Sequence, residues 1–153
     1  MALPHAFNCI TMEYYNIKNR AERISFREAV TRGISSDMGL FMPAGYPHPG
    51  NDFFRRLPSL SLPEIAFEVG SAYTGNEIPA PELRRICEWA FNFPIELTQT
   101  GERKYSLELF HGPTAAFKDF GARFMSQCFR YFADTKKKTV VLVATSGDTG
   151  GAI

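Results

Sequence analysis

Long apolar stretches are missing from this 153-residue sequence. The longest, Val140 to Ala144, spans about five residues, against the roughly 20 that cross a bilayer. No membrane-spanning helix is expected, and the chain is read as soluble and cytoplasmic. Net charge is nearly missing as well. Seventeen basic against sixteen acidic residues leave +1. That excludes the broad basic field used for non-specific binding to nucleic acid or a membrane surface. Cysteine is scarce: Cys9, Cys87 and Cys128 are far apart and form no CxxC pair. A disulfide scaffold is excluded, and reduced thiols of a cytosolic protein are expected. The three histidines, His5, His48 and His111, are too scattered for a metal motif, so no metal is expected. Neither GK[ST] nor G-x-G-x-x-G occurs, so a P-loop and a dinucleotide fingerprint are both absent. Residues 1–11 lack the basic start and apolar centre of a secretory signal. They are read as a tag or non-native start ahead of Met12.

What is present is globular: 44% apolar residues, 14% aromatics and 22% charged. Met12 to Ile17 reads as a short strand, and so does Gly39 to Met42, ended by Pro43. Residues 43–51, with three prolines and two glycines, read as loop. Two S-x-x-E capping boxes, Ser25/Glu28 and Ser61/Glu64, mark helix starts. Gly33 and Gly75 mark their ends. A third helix begins near Pro81, with Leu83, Ile86, Cys87 and Ala90 on one face, and Pro94 closes it. After Pro94 the pattern changes. Tyr105 to Phe110 reads as a strand, residues 111–114 as a turn, and Phe117 to Phe132 as a helix with phenylalanines facing a core. Asp134 and Lys136 to Lys138 read as a solvated turn. Thr139 to Ala144 is β-branched and apolar without alternation, as in a strand covered on both faces of a parallel sheet. The fold class is therefore α/β. A mostly helical region with short strands (residues 12–94) is followed by the truncated start of a parallel-sheet domain (95–153). A strand covered on both faces needs more neighbours than this sequence holds. The chain is read as a fragment whose exposed sheet another copy or another chain would cover.

Two loops at predicted strand ends lie where ligands bind in open α/β sheets. The first, residues 111–121, contains Lys118. Its plain reading is a solvated helix lysine beside an exposed Asp119–Arg123 pair at i, i+4. The other reading rests on the flanking Phe117 and Phe120: partial burial lowers an amine's pKa and makes it a nucleophile toward carbonyls. The second loop, Thr145 to Gly151, follows the apolar run and opens a helix. Its plain reading is an N-cap made by Ser146 or Asp148. The alternative is an anion site built of backbone amides and the hydroxyls of Thr145, Ser146 and Thr149.

The strings ELFHGPTAAFKDFGARF (108–124) and VATSGDTGGA (143–152) closely resemble the threonine synthase family of pyridoxal-phosphate enzymes, which have the tryptophan-synthase-like fold. Residues 14–43 and 73–94 resemble the same family's N-terminal region. Ala115 departs from it, since leucine is frequent there. The resemblance implies that Lys118 carries pyridoxal 5'-phosphate as an aldimine and then shuttles protons. The implied reaction turns O-phospho-L-homoserine and water into L-threonine and phosphate. Thr145, Ser146, Gly147 and Thr149 would hold the substrate's α-carboxylate. Asp148 would stand beside the cofactor's phenolic oxygen, where dehydratases of this fold have asparagine. Residues 95–153 would then be the start of the cofactor-binding domain. The family's cofactor-phosphate loop is not among these residues, so the chain alone is expected to be inactive. Ser71, Thr74 and Arg123 are candidates for the substrate phosphate. The alternatives are a serine/threonine dehydratase-like lyase and a non-catalytic ligand-binding relative.

Overall fold

A computed structural model describes residues 12–134 and 140–153. The first strand, β1 (Tyr14–Asn16), is the centre of a small antiparallel sheet, flanked by β2 (Arg23–Ile24) and β3 (Phe41–Pro43) in the order β2-β1-β3. Both short strands read from the sequence are therefore present. Alternation along β1 sends Tyr14 and Asn16 inward. Tyr14 packs in the core and its hydroxyl donates to Tyr73 O at 2.9 Å. Burial raises its ionisation well above the ordinary tyrosine range.

Asn16 is fully buried and organises the turn that follows Ile34. Its Nδ2 donates to Glu22 Oε2 and to Asp37 Oδ1, each at 2.9 Å. Asp37 also accepts from the Ser35 hydroxyl and, at 2.9 Å, from Gly39 N. These bonds, that from Ser35 foremost, pull the Asp37 carboxyl from the ordinary 3.8 down to about 2.

Four helices enclose the core. They are α1 (Phe26–Arg32), α3 (Leu62–Thr74), α4 (Ala80–Ala90) and α5 (Lys118–Phe132). The starts of α1 and α3 match their capping boxes. Ser25 Oγ accepts from Glu28 N and Glu28 Oε2 accepts from Ser25 N, both at 3.1 Å. Glu64 Oε2 accepts from Ser61 N at 2.7 Å. The start of α1 gains a further cap from outside, because Glu77 accepts from Phe26 N at 2.7 Å and from Arg27 N at 2.9 Å. α3 packs on α4, α4 on α5, and α5 on α1. The core between them holds Tyr14, Ile24, Phe26, Phe67, Ile78, Leu83, Ile86, Cys87 and Cys128. The two thiols are fully buried and free, and desolvation pushes each up to about 12. They are inert at neutral pH, in line with reduced structural cysteines. A short helix, α2 (Asn51–Arg56), occupies residues just past the proline-rich loop. Arg56 ties it to α3 by a two-pronged ion pair with the buried Glu68, at 2.6 and 2.7 Å.

After Pro94 the chain forms a hairpin, β4 (Glu96–Gly101) and β5 (Lys104–Glu108), in antiparallel register with Leu97 opposite Leu107. The predicted strand at 105–110 is thus real, but its partner is β4, which the sequence pattern did not reveal, and the pairing is antiparallel. Residues 140–144 join no sheet among the described residues, and Leu142 is 92% exposed. Apolar β-branched composition prepares a strand, but only a neighbouring strand's backbone groups make one. Mixed helix and strand with small sheets is the architecture. Residues 1–11, with His5 and Cys9, lie outside the described residues, as do Lys136 to Lys138 and Thr139.

Candidate active site

The loop leaving β5 reaches α5 through a tight turn. Ala115 N donates to Gly112 O at 3.0 Å, and Ala115 itself takes φ 55°, a left-handed conformation that a side chain disfavours. Phe117 caps the helix without a side-chain bond, and Lys118 is the first helical residue. Lys118 is half-buried, with its Nζ 4.7 Å from the centre of the Phe117 ring. Phe117 stays exposed, unlike the aromatics further along. Phe120 meets Phe93 at 5.0 Å, Phe124 stacks on Phe91 at 5.9 Å and Phe132 meets Phe26 at 6.0 Å, so these rings pack the interior as read from their spacing.

The surface pair expected between Asp119 and Arg123 does not form. Asp119 is 1% exposed, and its Oδ2 accepts from Thr114 N at 2.9 Å. Arg123 instead reaches the end of α4, donating to Ala90 O at 2.9 Å, Trp89 O at 2.7 Å and Asn92 Oδ1 at 2.8 Å. Its guanidinium also lies over the Trp89 ring, 4.3 Å from the centre. Helical spacing alone could not show this. The α4 carbonyls lack intrahelical donors and compete for the arginine. Arg123 is thereby committed to holding α5 on α4. The other two phosphate candidates lie on α3, Ser71 half-buried and Thr74 buried. Ser71 Oγ donates to Glu68 O at 2.8 Å, and Thr74 is 1% exposed.

The second loop opens α6 (Asp148–Ala152), which packs on α5. The N-cap is Gly147 at φ 140°, a conformation that requires glycine. Neither Ser146 nor Asp148 caps the helix. Thr145 does so from further back, its Oγ1 accepting from Gly147 N at 3.0 Å and from Gly150 N at 3.1 Å. Two amides expected to face an anion therefore face Thr145. Ser146 and Asp148 are exposed and Thr149 is half-buried. Both loops are thus attached to one packed pair of helices, the first at the start of α5 and the second at the start of α6. The donor set suits pyridoxal phosphate and an amino acid: an accessible primary amine, two hydroxyls and one carboxylate.

One cluster went unread in the sequence. His111 Nε2 and Glu108 Oε2 are 2.7 Å apart, Thr98 Oγ1 donates to Glu108 Oε1 at 2.9 Å, and Glu96 stands opposite Glu108 across the hairpin. The His111 bond, then that from Thr98, holds Glu108 below the usual carboxylate range. Both Glu108 oxygens are engaged by these bonds. Only the hairpin register brings Glu96 to this place.

The family profile described as Threonine synthase N terminus matches residues 13–91. Over 142 residues the chain is 43% identical to the threonine synthase of Haemophilus influenzae, covering 93% of this chain and 33% of that protein. It is 41% identical to the Escherichia coli enzyme over the same length and shares. The crystal structure of the E. coli threonine synthase superposes with a TM-score of 0.85 at 40% identity, over 92% of this chain and 33% of that one. The crystal structure of the pyridoxal-phosphate-bound threonine synthase from Brucella melitensis gives 0.74 at 34% identity, over 79% and 27%. The chain therefore spans about a third of the length of the curated relatives it matches.

Proposed function

Because the chain belongs to the threonine synthase family, we propose that the protein carrying it converts O-phospho-L-homoserine and water to L-threonine and phosphate, with pyridoxal 5'-phosphate as cofactor. The observation that carries this reading is the seat of Lys118. It is a half-buried amine opening α5, the same helix against which α6 is packed. The similarity to relatives named as threonine synthases supports it, and so does the pyridoxal phosphate bound to the Brucella relative.

In this proposal Lys118 attaches the cofactor through its Nζ and afterwards takes and returns protons. Pyridoxal phosphate, when bound, supplies the electron sink for carbanions next to nitrogen. Ser146 and Thr149 offer hydroxyls to the substrate's α-carboxylate. Gly147 gives the turn its backbone shape, and Thr145 stiffens it through its two amide bonds. Asp148 is assigned to the cofactor's phenolic oxygen.

The boundary near residue 94 and the assignment of 95–153 to a cofactor-binding domain belong to the same proposal. So does a cytoplasmic location, which the two buried free thiols support. No helix among the described residues is long and apolar enough to cross a membrane. The hairpin exposes Leu97, Tyr105 and Leu107, and Val140 to Val143 are exposed as well. We assign to these surfaces the self-association of the 153-residue chain.

The reaction is tested by incubating the protein that carries this chain with O-phospho-L-homoserine and assaying products. Phosphate released together with threonine is expected. Ammonia and a keto acid would identify a dehydratase, and no turnover would leave a binding protein; either contradicts the proposal.

A further inference from the structure

Resting on the reading of Lys118 as the cofactor-bearing amine, we infer that its neighbour Asp119 is a positioning residue that fixes where Lys118 leaves the helix. Successive helical residues point about 100° apart. An anchored side chain at 119 therefore sets the direction of the one at 118. Asp119 is anchored from two sides. Its carboxylate, 1% exposed, accepts from Thr114 N at 2.9 Å and so ties the preceding loop to the first turn of α5. The loop backbone also lies directly against it at Gly112. A Cβ at position 112 would stand 2.8 Å from Asp119 Cβ and closer still to Oδ2. No alanine fits there unless the aspartate moves.

Two features set this clasp apart from an ordinary helix start. Ala115 keeps a left-handed backbone at φ 55° although it is not glycine. Such a conformation persists only where the surroundings over-determine it. The start of α5 also has no side-chain cap, so Asp119 is spent on the loop rather than on the helix end. A buried carboxylate with this commitment is not the solvated i, i+4 partner that its spacing with Arg123 suggests. Its removal would leave the Thr114 amide without its acceptor and free the loop that precedes Lys118.

The test uses the protein that carries this chain, with pyridoxal phosphate and cyanoborohydride. Adducts on Lys118 and on the exposed Lys104 are compared by peptide mass spectrometry in the wild type, Asp119→Ala, Asp119→Asn and Gly112→Ala. The Lys118-to-Lys104 ratio is expected to fall at least about five-fold in Asp119→Ala and in Gly112→Ala, the scale set by one lost hydrogen bond. Asp119→Asn retains an acceptor for Thr114 N and is expected to restore most of the ratio. A purely structural role would lower the melting temperature and leave the ratio unmoved, which overturns the inference. If Asp119→Ala does not fold, Gly112→Ala decides: a wild-type ratio there is contradictory. Should the wild type itself show no preference for Lys118, both this inference and the reading beneath it fail. A wild-type preference that survives in the variants removes this inference alone.

Discussion

Asp37 lies in a tight turn and Asp119 in the first turn of α5; both accept from backbone amides, yet they serve different ends. Asp119 is sealed in the interior next to Lys118, whereas Asp37 is itself exposed and is held from below by the buried Asn16, Ser35 and Gly39. Because its folded pKa is depressed from 3.8 to about 2, Asp37 contributes stability that is fully present above about pH 4 and is lost as pH falls toward 2. Asp37→Asn is expected to flatten the acid limb of stability between those values. It should also lower stability at neutral pH, since an asparagine amide would face the donating Asn16. Denaturant unfolding followed by circular dichroism at several pH values checks this, and an unchanged acid limb would contradict the assignment. The turn at 35–39 was not read from the sequence, and the role of Asn16 in it depends on a partner 21 residues away. The same limit applies to Asp119. The sequence shows its position on the helix but not that Gly112 leaves room for it to turn inward.

Among the elements, the helices were legible and the sheets less so. Capping boxes, helix-ending glycines and the stripe of Leu83, Ile86, Cys87 and Ala90 are local signals, and α1, α3 and α4 follow them closely. β4 left no such mark, because ELTQTG becomes a strand only by pairing with β5. Residues 140–144 show the converse: strong strand composition without a partner among the described residues. The contact that fixes α5 on α4 is equally non-local. Arg123 supplies donors to two carbonyls and an amide oxygen at the end of α4. Arg123→Ala is expected to destabilise the chain by roughly 2 kcal/mol, the range for hydrogen bonds to a charged donor. Arg123→Lys should recover only part of this, since a lysine cannot reproduce the planar fork. Equilibrium urea unfolding measures both. An alanine variant as stable as the wild type would show that the α4–α5 contact is held by its aromatic stack alone.

For the whole molecule, one side is a closed helical core and the other is open. Leu97, Tyr105, Leu107 and Phe110 are all more than half exposed, and Leu142 almost entirely so. Exposed apolar surface of this kind favours association. Sedimentation equilibrium of the 153-residue chain is expected to show a mass that rises with concentration, and Leu107→Glu should reduce it. A monomer at every concentration would remove the proposed self-association. The proposed chemistry, however, rests on a single amine. Treating the protein that carries this chain with pyridoxal phosphate, reducing with borohydride and mapping the adduct puts that amine to the test. The expected result is a phosphopyridoxyl group on Lys118 in clear preference to Lys18 and Lys104. Labels spread evenly over the lysines, or absent from Lys118, would contradict the assignment.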